Sequence, residues 1–195
     1  MSPDPPMTPA AGVDTTTLVP RAVDLVWPLA ARAGARPTAP TPCQEYTVEQ
    51  LGTHLVAMLG HGVRAGNAQH TTGASAGSWE RYAETATALA AAWSNPAAWT
   101  GTTQFHGGRQ RRGFIGSIMV MELVVHGWDL ARALDVPYLV DDDLVATSLA
   151  AARENDALGA RDFGAFGPQQ RRAQLGALDH LIAYTGRDIR WAPPA

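Results

Sequence analysis

Residues 114–134 read FIGSIMVMELVVHGWDLARAL, and this stretch decides the fold. Its apolar side chains occupy nearly every direction around a 3.6-residue helix, so the segment predicts a helix at the centre of a bundle rather than one lying on a surface. The apolar run from Ile115 to Val125 is interrupted by Ser117 and Glu122 and is too short for a hydrocarbon layer about 30 Å thick. Glu122 and His126 stand four residues apart, a spacing that places their Cβ atoms about 5–6 Å from one another on one helix face. A carboxylate among Ile, Met, Val and Leu costs several kcal/mol unless a positive charge meets it. No Lys or Arg occurs from Phe114 until Arg132, so a divalent metal ion is the simplest partner.

Working outward, a metal site needs ligands from a second element. Thr47 followed by Gln50 is a capping-box pattern that starts a helix. Its inner stripe is Leu51, His54, Leu55, Met58, Leu59 and Gly62, so a histidine sits among core positions. His54, Glu122 and His126 together make three protein ligands. Three leave a coordination position open, the arrangement of catalytic sites, whereas structural zinc sites use four. A Glu and a His four apart form a weak motif when taken alone, and a lone inward histidine is more often a core residue.

The remaining chain reads as helix and connection. A first helix runs from about Leu18 to Gly34, with Pro28 expected to kink it. Pro37, Pro40 and Pro42 mark an extended link, residues 65–77 a loop, and Ser78 the cap of a helix that Asn95 and Pro96 end. Residues 99–113 are rich in Gly, Thr and Arg, a long connection with room for a short strand at 100–105. Further helices are expected from about Asp141 to Leu158 and from about Pro168 to Thr185, with Gly186 as the stop. The fold class is therefore all-α, with residues 1–13 a disordered leader and 14–195 one helical domain.

Composition narrows the function. All 15 cations are Arg against 18 acidic residues, a net charge of −3 with no long block of one sign, which argues against nucleic-acid partners. The single Cys43 excludes an intramolecular disulfide and a thiolate metal cage, and a cytoplasmic location without a membrane partner is expected. Cys43 itself reads as a packing residue. His61, two turns after His54, is placed to face the same cavity as a proton carrier. Asp129, one turn beyond His126, is a candidate outer contact to that imidazole. Arg112, with Arg109 and Arg111, precedes the central helix and is a candidate for holding a substrate carboxylate.

Three segments carry a resemblance. TPCQEYTVEQLGTHLVAM (Thr41–Met58) and MELVVHGWDLARAL (Met121–Leu134) resemble two signatures of the DinB-like, mycothiol-dependent maleylpyruvate isomerase superfamily, and LDHLIAYTGRDIRW (Leu178–Trp191) is similar to the C-terminal end of its shorter actinobacterial members. The resemblance implies a DinB-like four-helix bundle with additional short helices and the metal near one end. It implies that His54, Glu122 and His126 are the ligands, that zinc is the expected metal with Ni2+ or Fe2+ as alternatives, and that mycothiol is the co-substrate. The function implied is a thiol transferase or isomerase acting on a small electrophile. The full isomerase has a separate C-terminal domain without counterpart here, so isomerisation of maleylpyruvate itself is not expected. A hydrolase that activates water at the same site, and a metal-binding module without catalysis, stay open as alternatives. The chain is expected to be a monomer or homodimer.

Overall fold

The computed structural model describes residues 13–44, 46–69, 78–105 and 108–194. The expected disordered leader at 1–13 falls almost wholly outside them, as do His70 and His106 and most of the expected loop at 65–77. Among the described residues six α-helices follow one another: α1 (Thr15–Ala33), α2 (Val48–Gly66), α3 (Tyr82–Trp93), α4 (Arg112–Ala133), α5 (Asp142–Ala157) and α6 (Ala177–Tyr184). The all-α expectation holds, with one small departure: an antiparallel hairpin of β1 (Thr102–Phe105) and β2 (Gly108–Arg111), paired from Thr102 opposite Arg111 to Phe105 opposite Gly108.

The bundle closes in the order α1, α3, α2, α4. Each of these packs on the next and α4 returns to α1, with α1 and α2 as a diagonal pair that touch little. A helix surrounded in this way must be apolar all round, which is why α4 buries Phe114, Ile115, Met119, Val120, Leu123, Val124, Leu130 and Ala131 together. By length and composition α4 is apolar enough to cross a membrane, yet 89% of its apolar window is buried inside the protein. Gly62 lets α2 approach α3 and α4 closely, since a Cβ there would collide with Leu89 and Met119. Outside the ring, α5 lies on α4 and α6 on α5. Arg21 ties α1 to the start of α5 by donating to Asp143 Oδ2 at 2.6 Å and Asp141 Oδ2 at 2.5 Å.

Local expectations fared unevenly. The capping box at the head of α2 is complete: the Thr47 amide donates to Gln50 Oε1 at 2.9 Å and the Gln50 amide to Thr47 Oγ1 at 3.4 Å. Pro20 and Pro28 both lie inside α1, which runs on through them to Ala33. Ser78 makes no side-chain cap; a single 3-10 turn at Trp79–Arg81 precedes α3, because the Trp79 indole donates to Val48 O and seats the turn against α2. The last helix begins at Ala177, nine residues later than the expected Pro168. Residues before it carry no apolar stripe, Gln174 has φ +57°, and the Gln170 amide pairs with Ala183 O across the end of α6, so that stretch cannot also be helix.

Candidate metal centre

Two helices of the ring supply the site. His54 projects from the second turn of α2 and Glu122 and His126 from the middle of α4, and one ligand atom from each of the three lies within 4.8 Å of the others. Glu122 Oε2 stands 3.3 Å from His54 Nε2 and 3.4 Å from His126 Nε2. The two imidazole rings meet edge to face with centroids 4.9 Å apart. Exposure falls across the cluster, from 28% for the His54 side chain through 14% for Glu122 to 8% for His126. The site thus opens on its α2 side.

The geometry constrains the protons. Asp129 Oδ2 lies 2.9 Å from His126 Nδ1, and an ionised carboxylate only accepts, so Nδ1 must carry the hydrogen. A neutral His126 then turns the lone pair of Nε2 toward Glu122 Oε2. Two acceptors at 3.4 Å repel unless a proton or a cation lies between them. In the metal-free chain a proton serves: burial pushes the His126 pKa down, but the bonds to Asp129 and Glu122 outweigh it and the net shift is upward. Burial likewise pushes the Glu122 carboxyl up, and the two imidazoles overcome this and hold it well below the usual carboxylate range. The same pocket therefore offers two nitrogens and one oxygen to any ion that replaces that proton, a donor set suited to zinc.

Asp129 is held in turn. It has no exposed surface, and Arg187 donates to it twice, from Nη2 to Oδ2 at 2.9 Å and from Nε to Oδ1 at 3.3 Å. Burial raises the Asp129 pKa and the Arg187 charge, with His126, brings it below the ordinary value. Arg187 reaches this position because Gly186, at φ +93°, ends α6 in a left-handed turn: the Gly186 amide donates to Ala183 O and the Arg187 amide to Ile182 O. On the other side, Tyr46 Oη lies 3.4 Å from His54 Nδ1 with the rings stacked. A cavity of about 20 Å³ beside Glu122 and His126 is lined also by Met121, Val125, Ala165, Phe166 and Arg187.

Residues 64–131 match the family model of the mycothiol maleylpyruvate isomerase N-terminal domain. That span covers about a third of the chain, and over it the resemblance read from the sequence is shown. The domain match includes Glu122, His126 and Asp129 of α4; His54 and Tyr46 precede it and Arg187 follows it. A DinB-like helical architecture agrees with the observed ring of helices. No curated protein and no solved structure matches the chain.

Other candidates lie elsewhere. His61 Nδ1 is 2.9 Å from Arg64 and its ring faces Phe105 of β1 at 6.4 Å, so it stands outside the three-residue cluster. Arg112 donates through Nη2 to Gly66 O at 2.6 Å, capping the far end of α2. Ten residues of α4 separate it from Glu122, about 15 Å of helix rise, so it does not line the cluster. Arg109 bonds Thr102 across the hairpin, and Arg111 pairs with Glu154 of α5.

Sequence reasoning missed Arg187, whose only signal was a Gly-Arg pair after a helix. It also missed Cys43 as a neighbour: Cys43, His126 and Asp129 form a second set with ligand atoms within 4.8 Å. His54, Glu122 and His126 are the better ligand set, since Asp129 is already bonded to His126 and Arg187.

Proposed function

We propose that the chain is a mycothiol-dependent metalloenzyme, a thiol transferase or isomerase acting on a small electrophile, with His54, Glu122 and His126 binding zinc. The observation that carries this reading is the convergence of Nε2 of His126 and Nε2 of His54, from two helices, on one oxygen of the Glu122 carboxylate. A divalent ion there supplies Lewis acidity that lowers the pKa of a coordinated thiol, so that reactive thiolate persists at neutral pH.

The chain's own residues do the rest. Glu122 brings negative charge that offsets the ion, and Asp129 keeps His126 in the tautomer whose Nε2 can ligate. Partly exposed His54 leaves a path from solvent for a thiol and its electrophile, while the apolar residues of α4 close the site from behind. The mycothiol requirement rests on the family match, and the whole of residues 14–195 is read as one domain of this kind.

Metal analysis of the purified protein, of His54→Ala and of Glu122→Ala, followed by titration with mycothiol, tests the proposal. One zinc per chain in the wild type, little in either variant, and saturable thiol binding that depends on the zinc are expected. Full metal retention in both variants sinks the ligand assignment. Turnover of small electrophiles that is equal with and without mycothiol would instead favour a hydrolase that activates water.

A further inference from the structure

The contact that joins the end of the chain to the site is the buried pair of Arg187 and Asp129. Both side chains are at least nine-tenths buried, and the carboxylate that bonds His126 Nδ1 is the one the guanidinium grips at two points. Without the arginine, Asp129 would be a carboxylate with no exposed surface and the His126 imidazole as its remaining partner at 2.9 Å. It would lose both donors that fix the plane of its carboxylate, from Arg187 Nη2 at 2.9 Å and Nε at 3.3 Å, and its acceptor hold on Nδ1–H would no longer be directed. The imidazole would lose the restraint that points Nε2 at the space shared with Glu122 and His54. A second arginine holds the same chain segment without touching the site: Arg132 of α4 donates from Nε to Trp191 O at 3.0 Å.

We propose that Arg187 is a positioning residue for the metal site: through Asp129 it sets the orientation and tautomer of His126, so that docking of residues 185–191 on α4 and metal uptake favour one another. This rests on the metal reading above. Coupling of two binding events is reciprocal, so a bound ion must also tighten the docked segment.

The test measures zinc affinity by chelator competition, and amide hydrogen exchange across 185–191, in the full chain. Arg187→Met is expected to weaken zinc binding about 10- to 100-fold, the usual cost of losing an outer-shell partner. Arg187→Lys should recover part of that loss, because a point charge still neutralises Asp129 while losing the second bond. Arg132→Met, which loosens the segment but leaves Arg187 on Asp129, should weaken zinc binding only through docking and so by less than Arg187→Met. In the wild type, zinc should slow exchange of the amides from Arg187 to Trp191.

Arg187→Met that folds and binds zinc like the wild type, or exchange at 185–191 that zinc leaves unchanged, each overturns the coupling, and an equal loss in Arg132→Met overturns the positioning role of Arg187. Should Arg187→Met not fold, the charge-free pair Asp129→Leu with Arg187→Met takes its place, since buried ion pairs often yield to apolar pairs without loss of stability. That double variant is expected to be folded and weak in zinc, and wild-type affinity in it also overturns the coupling. His54→Ala separates the two levels of the reading. Zinc lost in that variant but retained in Arg187→Met defeats the coupling alone, whereas a folded wild type that takes up no zinc defeats the metal site and the coupling together.

Discussion

The two imidazoles of the site are held in opposite ways. His126 sits on the helix that every other bundle helix but α3 packs against, 8% exposed, with Nδ1 fixed at 2.9 Å by a carboxylate that an arginine anchors in turn. His54 sits at the rim on α2, 28% exposed, with only a stacked tyrosine at 3.4 Å behind it. One half of the site is therefore built for position and the other for access. Charged networks in a low-dielectric interior are strong when complete and costly when broken, while partly solvated groups tolerate rearrangement. The contrast means that equal substitutions on the two sides should have unequal consequences.

The largest consequence should follow Asp129→Ala, which strands Arg187 in the interior. A stability loss of about 3–5 kcal/mol in urea unfolding is expected; a loss below about 1 kcal/mol would show that the pair is already solvated.

Proton linkage comes next. The folded pKa of His126 is raised, so its contribution to the stability of the metal-free chain is complete below the unfolded value, about 6.5, and is lost as the pH rises through the folded value. Glu122 and Asp129 are depressed, so theirs is present above the ordinary carboxylate values, about 4, and is lost as the pH falls. The melting temperature of metal-free protein should accordingly decline above about pH 6.5, and zinc should cancel the decline because the ion takes the place of the proton. A flat or rising profile without zinc breaks the assignment of that proton to His126.

Smaller still is the effect of His54→Ala on the metal-free fold, expected to cost under about 1 kcal/mol because the side chain is partly solvated. Comparable destabilisation by His54→Ala and His126→Ala would erase the distinction between the two sides. Tyr46→Phe should matter least, changing zinc affinity by no more than about threefold, since it removes one long hydrogen bond and keeps the ring stack. A tenfold loss in that variant would promote Tyr46 to an outer partner equal to Asp129.

What was legible in the sequence was local. Glu122 and His126 announced themselves because a carboxylate four residues from an imidazole in an apolar helix has no other neutraliser, and His54 because it broke a leucine stripe. Thr47 and Gln50 marked the head of α2 for the same reason, that a cap is satisfied within four residues. The hairpin strand at 108–111 was not legible, since Gly108, Arg109, Gln110 and Arg111 have no alternation of polar and apolar residues; only pairing with β1 and the docking of Arg111 on Glu154 make it a strand. Arg112 looked like a ligand for a substrate because it begins a helix, yet the carbonyl it caps belongs to α2, 46 residues earlier.

By itself, then, the chain's order of residues determined the helical class, the core helix, and the spacing that puts a carboxylate and an imidazole on one face, because hydrophobic period and capping act over a few residues. Only the tertiary structure decided that His54 meets them, that Cys43 lies beside them, and that Arg187, 58 residues from Asp129, completes the support of His126. Those contacts depend on how helices cross and where a left-handed turn at Gly186 sends the chain, and side chains brought together by packing leave no period in the sequence to read.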